Sequence, residues 1–431
     1  MTKNRNQPVR DTIDQPSSDG VDRRGFLQCM AWAGAGLLWS VAGGIPVSNL
    51  LGASPHKTAG GFTFAQISDS HIGFDKPANT NVTATLQTAI DKVNALPTAP
   101  DLIIHTGDIS HLAKPGEFDT ATQVLKGAKS TIFYVPGEHD VATDNGQQYR
   151  ERFGKDALGA GWHSFDHKGV HFVGLVNVVD LKAGGLGTLG HDQLEWLERD
   201  LKGKSSSTPV VIFAHIPLWA VYPEWGWGTQ DSQQALSYLK RFGSVTVLNG
   251  HIHQIMQKVE GNVTFHTAMA TAFPQPMPGT SKSPGPLKVP ADELRRVLGL
   301  TEVNYKVGGH HLAVVDASLA GTPTDQASDI LRKAAAAAPA TAQQAAAQAG
   351  NVAATIDNFA FSPEQLTVKS GSTVEWTNKD DTPHTVTSND GVFGSGALDT
   401  NQKFKYTFAK AGKFPYYCKF HPRMTGTVTV Q

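Results

Sequence analysis

The stretch TIFYVPGEHD, residues 131–140, joins a β-rich apolar run to a Pro-Gly turn and then to an acid, an imidazole and a second acid. Runs of this kind recur from residue 60 to residue 320, as in FTFAQI, DLIIHT, VHFVGLV, PVVIFAH and SVTVLNG. Between them, TATLQTAIDKVNAL and HDQLEWLERDL repeat apolar residues at helical spacing. Strands that alternate with helices predict an α/β domain over residues 60–320, with a sheet buried on both faces.

The length and charge of the chain limit the other possibilities. With 431 residues and 40% hydrophobic content, the chain is long enough for two or three modules with sizeable cores. The formal net charge of -1 shows no basic excess, so we expect no nucleic-acid binding. A small or neutral partner is the better expectation.

The first 53 residues are predicted to be a signal and leader. Arg23 and Arg24 precede Phe26 and Leu27, and an apolar, glycine-rich run follows over residues 29–47. This pattern resembles a twin-arginine signal, which implies use of the twin-arginine export machinery and a periplasmic or extracellular location. The alternative is an uncleaved membrane anchor, which the four glycines and the proline within the run disfavour.

Composition changes twice after the α/β domain. Six prolines in residues 274–290 predict an irregular excursion over the surface. Residues 321–350 are rich in alanine and predict a semi-rigid, partly helical linker. Residues 351–431 then alternate short strands with Gly and Asn turns, which predicts a small all-β domain.

Acids and histidines directly follow successive predicted strands of the α/β domain. They are Asp69, His71, Asp108, Glu138, His139, Asp140, His215, His251 and His253. The carboxyl ends of strands meet at one edge of an open α/β sheet, where ligands bind. So many donors crowded together would repel one another and shift their pKa values, so the cluster indicates bound metal. Taken singly, each of these histidines has the alternative of an ordinary core or surface role.

The motifs Asp-x-His, Gly-Asp, Gly-x-His-Asp, an isolated His and Gly-His-x-His, in this order, resemble the calcineurin-like metallophosphoesterases. The segments QISDSHIG, HTGDISH, VPGEHD, FAHIPL and LNGHIHQ are most similar to the branch with bacterial cyclic-nucleotide phosphodiesterases. The resemblance implies a four-layer αββα sandwich, with two sheets flanked by helices. It also implies a hydrolase for phosphate monoesters or diesters, with a small phosphoester, such as a nucleotide, as substrate.

The resemblance also implies roles for the clustered residues. A first metal would be held by Asp69, His71, Asp108 and His253, and a second by Glu138, His215 and His251 with Asp108 bridging. The ions would be divalent or trivalent Fe, Mn or Zn. They would turn a shared water into hydroxide for attack on phosphorus. His139 would neutralise or protonate the leaving oxygen, and Asp140 would orient its ring.

Glu138 departs from the family pattern, which has Asn at this position. An amide ligates through oxygen and also donates a hydrogen bond, whereas an ionised carboxylate only accepts. We therefore expect tighter metal retention, a less acidic bridging water and weaker attraction for an anionic phosphate.

Aromatic residues cluster in WAVYPEWGWG, residues 219–228. The loop either packs against the domain as a hydrophobic patch or offers a rim on which a flat group stacks. His105, His111, His310 and His311 receive no role.

A second set of ligands lies in YYCKFHPRM near the C-terminus. Cys418, His421 and Met424 have Cys-x2-His-x2-Met spacing, and His384 lies upstream. Two imidazoles, a thiolate and a thioether suit one copper ion that cycles between Cu(I) and Cu(II). Residues 351–431 resemble the cupredoxins, especially the amicyanin-like and plastocyanin-like members, although Arg423 stands where a bulky apolar residue is common. A β-sandwich without copper is the alternative.

These features predict a phosphoesterase that carries a tethered copper domain for electron transfer or copper sensing, with a redox partner for the copper. The alternative is a copper electron-transfer protein whose phosphoesterase part is a catalytically altered scaffold, as Glu138 suggests. A third hypothesis is that the two metal sites exchange electrons.

Overall fold

Within residues 1–56, the computed structural model describes one antiparallel pair of strands, β1 Leu37–Ala42 and β2 Ile45–Leu50. The structure describes residues 37–42, 45–50, 61–155, 157–179, 181–182, 185–281, 283–306, 312–336 and 351–431. The predicted arginine pair lies outside these residues. No helix in the described ranges is long and apolar enough to cross a membrane. Residues 57–431 form a separate unit, described by itself below.

Two sheets make up the first part of this unit. The five-stranded sheet has the order β13-β12-β3-β4-β5, and the six-stranded sheet has the order β10-β11-β9-β8-β7-β6. The strands are β3 Phe62–Ile67, β4 Leu102–His105, β5 Thr131–Tyr134, β6 His163–His167, β7 Val170–Gly174, β8 Val210–Ala214, β9 Val245–Asn249, β10 Gln257–Glu260, β11 Val263–Thr267, β12 Gly299–Tyr305 and β13 Ala313–Ser318. Strands β3, β4 and β5 are parallel, as are β7, β8, β9 and β11, so their carboxyl ends share one edge.

Helices cover the outer faces of the two sheets. They are α1 Val82–Asn94, α2 Pro115–Leu125, α3 Glu138–Val141, α4 Gln147–Phe153, α5 His191–Lys202, α6 Ser232–Leu239, α7 Leu294–Val297 and α8 Thr324–Ala336. Helix α1 buries Val82, Leu86, Ile90 and Val93, a helical spacing that directs one face into the core. Phenylalanines from both sheets, including Phe64, Phe172 and Phe213, fill the space between the sheets. These layers confirm the predicted αββα sandwich.

The proline-rich segment and the start of the predicted linker pack together. The prediction of a surface excursion over residues 274–290 is wrong in part, because Leu287 and Val289 are buried. They contact Ile330 and Leu331 of α8, which lies within the alanine-rich stretch. The repeat of apolar residues along α8 gives this stretch a buried face, so its first half packs as a helix.

The C-terminal domain is a sandwich of two four-stranded sheets, β15-β14-β17-β19 and β16-β21-β20-β18. Its strands are β14 Asn351–Asp357, β15 Ala360–Ser362, β16 Gln365–Val368, β17 Ser372–Asn378, β18 Thr387–Ser388, β19 Lys403–Phe408, β20 Gly412–Tyr417 and β21 Thr425–Val430. Trp376 is fully buried between the sheets and donates its indole hydrogen bond to Tyr416 Oη at 3.2 Å. The predicted all-β C-terminal domain is confirmed.

Candidate metal centres

Strand ends bring the predicted ligands of the α/β part to one place. Asp69 and His71 follow β3, Asp108 follows β4, Glu138 begins α3 after β5, His215 follows β8, and His251 and His253 follow β9. Asp69, His71, Asp108, His251 and His253 have φ between 40° and 72°, a left-handed conformation that is uncommon for residues other than glycine. Several such residues in one cluster mark a functional site, because the surrounding fold must hold each of them against its preference.

The first set of side chains surrounds a point near β3. His253 Nε2 lies 3.3 Å from Asp69 Oδ1 and 3.2 Å from His71 Nε2. The ligand atoms of these three residues all lie within 4.8 Å of one another. His253 Nδ1 contacts the carbonyl of Phe273 at 2.6 Å, which directs Nε2 into the cluster.

The second set lies beside the first. Glu138 places Oε2 3.0 Å from His215 Nε2 and Oε1 2.9 Å from His251 Nδ1. The ring of His215 is fixed because its Nδ1 lies 2.7 Å from the Thr106 carbonyl. Asp108 Oδ2 lies 3.3 Å from His215 Nε2 and 3.5 Å from His71 Nε2, so this carboxylate stands between the two sets.

Unsatisfied atoms show that the second set fits a cation. Glu138 Oε2, His215 Nε2 and both ring nitrogens of His251 have no hydrogen-bond partner among the described residues, although the contacts above are short. Buried polar atoms are otherwise almost always paired. These oxygen and nitrogen atoms point at one another but do not hydrogen-bond, so their lone pairs are available to bind a metal ion between them.

The charges of the site are strongly coupled. Burial raises the pKa of Asp108 well above its usual range, and the neighbouring Glu138 charge raises it further. Burial acts in the same direction on Glu138, but His251 and His215 outweigh it and hold the Glu138 pKa well below its ordinary value. Burial and then the nearby His139 lower the pKa of His71. A bound cation would relieve the repulsion between the carboxylates and between the imidazoles.

His139 lies at the rim of this cluster. Its backbone N–H donates to Asp108 Oδ1 at 3.0 Å, and its Nδ1 lies 2.7 Å from the His111 carbonyl. The carbonyl can only accept, so Nδ1 carries the proton and Nε2 is the atom left for the site. Burial lowers the pKa of His139 to about 4, so the ring is neutral at neutral pH.

The prediction that Asp140 orients His139 is wrong. The Asp140 carboxylate accepts hydrogen bonds from the backbone N–H groups of Ile109, Ser110 and Gly137 and from Ser110 Oγ, at 2.8 to 3.1 Å. Asp140 therefore fixes the turn that carries Asp108. The partner of the His139 ring is the His111 backbone.

His111 was given no role from the sequence, yet it belongs to the site. Its ring stacks on His139 with centroids 5.2 Å apart, and its Nδ1 lies 3.3 Å from Nδ1 of His71. The available signal was its place three residues after Asp108 in the same loop. His105 instead contacts Ser70 Oγ at 2.8 Å behind the cluster, and His310 and His311 lie outside the described residues.

The tryptophans of residues 219–228 divide between the two predicted roles. Trp227 is fully buried, and Trp219 packs on Phe265 with ring centroids 5.0 Å apart. Trp225 is half-buried and lines two cavities next to the cluster. Most of the loop is thus packing, and Trp225 provides a rim.

The C-terminal domain gathers its own ligands. His384 Nδ1, His421 Nδ1 and Cys418 Sγ form a triangle with sides of 3.2, 3.6 and 3.6 Å. The centre of this triangle is about 2.0 Å from each corner, close to the roughly 2.0–2.3 Å of zinc–nitrogen and zinc–sulfur bonds. Met424 is buried in the same loop. The donors present therefore fit one transition-metal ion.

Other contacts hold these ligands. Asp380 Oδ2 lies 2.8 Å from Nε2 of His384, which fixes the ring with Nδ1 inward. The Thr385 N–H donates to Cys418 Sγ at 3.3 Å. The Phe359 ring packs edge-on against His384 and His421 at 5.1 and 4.6 Å. Cys418 is a free, buried cysteine.

Fold and sites together define a metal-dependent phosphoric ester hydrolase that carries a copper-binding β-sandwich domain. Residues 62–255 match the family model of the calcineurin-like phosphoesterases, and residues 331–430 match that of the cupredoxin-like domain. The α/β part is therefore similar to the calcineurin-like phosphoesterases, and the C-terminal part belongs to the cupredoxins.

Known proteins of other organisms are similar to each part. The chain is 35% identical over 100 residues to amicyanin of Paracoccus denitrificans, which covers 22% of this chain and 76% of that protein. It is 25% identical over 219 residues to a 3',5'-cyclic-nucleotide phosphodiesterase of Nostoc sp., and the match covers 49% of this chain and 79% of that protein. It is 24% identical over 262 residues to a glycerophosphodiester phosphodiesterase of Enterobacter lignolyticus, and the match covers 58% of this chain and 92% of that protein.

Proposed function

We propose that the α/β part is a dinuclear-metal phosphodiesterase for small phosphoesters. The position of Asp108 carries this proposal, because one carboxylate oxygen lies within 3.5 Å of a histidine from each ligand set. Asp69, His71 and His253 would hold one ion, and Glu138, His215 and His251 the other. A pair of cations supplies charge for phosphate oxygens and a water acidified for attack.

His139 is the proposed acid of this reaction. Its Nδ1 proton is held by the His111 carbonyl, which leaves Nε2 as the ring nitrogen that would act on a substrate. A neutral ring accepts a hydrogen bond there, and it becomes a donor only when an anionic phosphoester raises its pKa. Protonation would then depend on substrate, and the acid would act on the leaving oxygen.

Relatives suggest the substrate class. One is named a cyclic-nucleotide phosphodiesterase and another a glycerophosphodiester phosphodiesterase, so small phosphodiesters are the first substrates to test. The assay compares cyclic nucleotides, glycerophosphodiesters and bis(p-nitrophenyl) phosphate after metal removal and reloading with Mn, Fe or Zn. We expect turnover that returns with two ions per chain and is lost in Asp108→Asn. Full occupancy without hydrolysis of any ester would refute the proposal.

Export through the twin-arginine machinery is the proposed route to a periplasmic or extracellular location. The residues Arg23 and Arg24 support it, and folding before export would allow metal loading beforehand. A double substitution of both arginines to lysine should retain the protein inside the cell. Unchanged export of that variant would exclude this route.

A second candidate function is electron transfer at the copper site, with Fe in the phosphoesterase site as the exchange partner. Contact between the domains favours it, since the Phe420 ring lies 4.8 Å and the His421 ring 6.5 Å from the ring of His139. His139 in turn lies 4.6 Å from His71. Copper held by His384, Cys418 and His421 would accept one electron, and iron held by the phosphoesterase ligands would supply it. Protein that carries Cu(II) and is then loaded with Fe(II) in the phosphoesterase site should lose its copper absorption. A control loaded with Zn in the phosphoesterase site should keep it.

A further inference from the structure

The copper domain packs directly over the mouth of the phosphoesterase site. Phe420 of its metal loop lies against His139, and Ala142, just after α3, packs on the core of the copper domain. Hydrogen bonds between described residues also connect the domains: Tyr417 Oη donates to the Leu181 carbonyl at 3.2 Å, and Ser283 Oγ donates to Asn358 Oδ1 at 2.7 Å. The copper loop therefore occupies space that a substrate must share.

The described residues enclose two adjoining cavities at this contact. The smaller, about 30 Å³, lies over the proposed metal ligands and includes His139 and Asp108 in its lining. The larger, about 140 Å³, lies between the two domains. They share walls formed by Trp225, His251, Pro284, Phe359 and His421. A molecule whose phosphate sits at the metal ligands can thus extend from one cavity into the other.

The larger cavity has the lining of a site for a flat ring. Aromatic side chains Trp225, Phe359 and Phe420 form its walls, and Glu224 and Arg423 are charged residues in the lining. Its volume is close to the roughly 150 Å³ of an apolar cavity that holds benzene. Aromatic walls favour stacked rings, and pockets for organic ligands combine such walls with a small number of polar groups.

We propose that this interdomain cavity binds the organic group of a phosphoester, a single aromatic or heteroaromatic ring, so that the copper loop forms one wall of the substrate site. The inference rests on the proposed phosphodiesterase function and adds its substrate class. Trp225 provides the stacking surface on one side, and Phe420 and the Pro422–Arg423 segment close the other. Specificity for the ring is then built jointly by the two domains.

Selectivity between two esters tests the proposal in the full-length, metal-loaded protein. Phenyl p-nitrophenyl phosphate and methyl p-nitrophenyl phosphate share a leaving group and differ in the group that enters the cavity. We expect Trp225→Leu to lower the ratio of kcat/KM for phenyl over methyl about tenfold, because stacking on an aromatic side chain is lost. Trp225→Phe should keep most of the ratio. Trp196→Leu, a half-buried tryptophan of α5, is the matched control and should leave the ratio unchanged.

A binding measurement separates this inference from the hydrolytic function. Phenylphosphonate and methylphosphonate are titrated into the copper-loaded protein while the copper absorption is followed. A ring beside His421 should perturb the copper band, and phenylphosphonate should bind about tenfold more tightly than methylphosphonate only when Trp225 or its Phe replacement is present.

The outcomes have distinct meanings. If the esters are hydrolysed but the Trp225→Leu ratio and the copper band stay unchanged, the shared cavity is refuted and the phosphodiesterase stands. If neither ester is cleaved but phenylphosphonate binds with the expected copper response, the cavity is supported and the hydrolytic function fails. If Trp225→Leu does not fold, the Trp225→Phe variant and the two phosphonates on the wild type decide the question.

Discussion

Replacing Asp140 with asparagine separates a structural role from a catalytic one. The Asp140 carboxylate is fully buried and accepts four hydrogen bonds, three from backbone N–H groups and one from Ser110 Oγ. An asparagine offers one acceptor oxygen and turns an NH₂ group toward donors, so at least two of these bonds are lost. Hydrogen bonds to a charged group contribute about 1.5–3 kcal/mol each.

The expected cost follows from these bonds. Two lost bonds amount to roughly 3–6 kcal/mol. Burial raises the pKa of Asp140, so removing its charge returns part of that cost. We therefore expect Asp140→Asn to lower the free energy of unfolding by about 3 kcal/mol, with reduced metal content because the Asp108 turn loosens.

Equilibrium urea unfolding of the metal-free protein measures this change, with metal content and kcat determined on the same preparations. His139→Gln is the contrasting variant: it should reduce kcat about 10²–10⁴-fold with a smaller loss of stability, as expected for a proposed acid. If Asp140→Asn leaves the unfolding free energy within about 0.5 kcal/mol of wild type and lowers kcat as far as His139→Gln does, the reasoning is refuted.

Three further outcomes are expected. Glu138→Asn should weaken retention of the second metal and raise turnover on anionic esters. Elemental analysis and kcat/KM measure these two changes. If both values stay unchanged, the role given to Glu138 is contradicted. Cys418→Ser should abolish the copper absorption while metals in the α/β part remain, and retained absorption would place the copper elsewhere. Burial opposes ionisation of Asp200, but hydrogen bonds from His171 and Ser164 hold its pKa below the usual range. The ionised Asp200 therefore stabilises the fold fully above its unfolded pKa, near 3.9. This stabilisation is lost as the pH falls through the lower pKa of the folded state. Acid unfolding curves of Asp200→Asn should show a shallower pH dependence than wild type, and parallel curves would count against this contribution.

The clustering of the predicted ligands could be expected from the sequence, because the fold places them by simple rules. Each proposed ligand follows a strand end, and parallel strands in both sheets carry these ends to one edge. The Cys-x2-His-x2-Met spacing likewise sets its donors in one loop between β20 and β21. Local sequence contains this information, because strand periodicity and strand order decide where the ends lie.

Contacts between segments that are distant in the chain could not be predicted from the sequence in this way. The partners of Asp140 depend on how the turn after β4 meets the turn after β5, and the adjacency of Asp140 to His139 in sequence was misleading. Burial of Leu287 and Val289 depends on α8, more than 30 residues later in the chain. A proline-rich segment can be buried when another element covers it, because its apolar side chains still gain from leaving water.

The position of the copper loop gives the departure at Arg423 a physical explanation. In a free cupredoxin-like domain, a bulky apolar residue beside the exposed histidine ligand would suit docking of a separate partner protein. Here the same face lies on the chain's own phosphoesterase domain, where Phe420 contacts His139 and Arg423 lines the cavity between the domains. An arginine covers apolar surface with its aliphatic stem and keeps a charged end for polar contacts, so it suits a cavity wall shared by two domains. The exchange of an apolar residue for Arg423 is therefore consistent with a copper loop whose partner surface lies within the same chain.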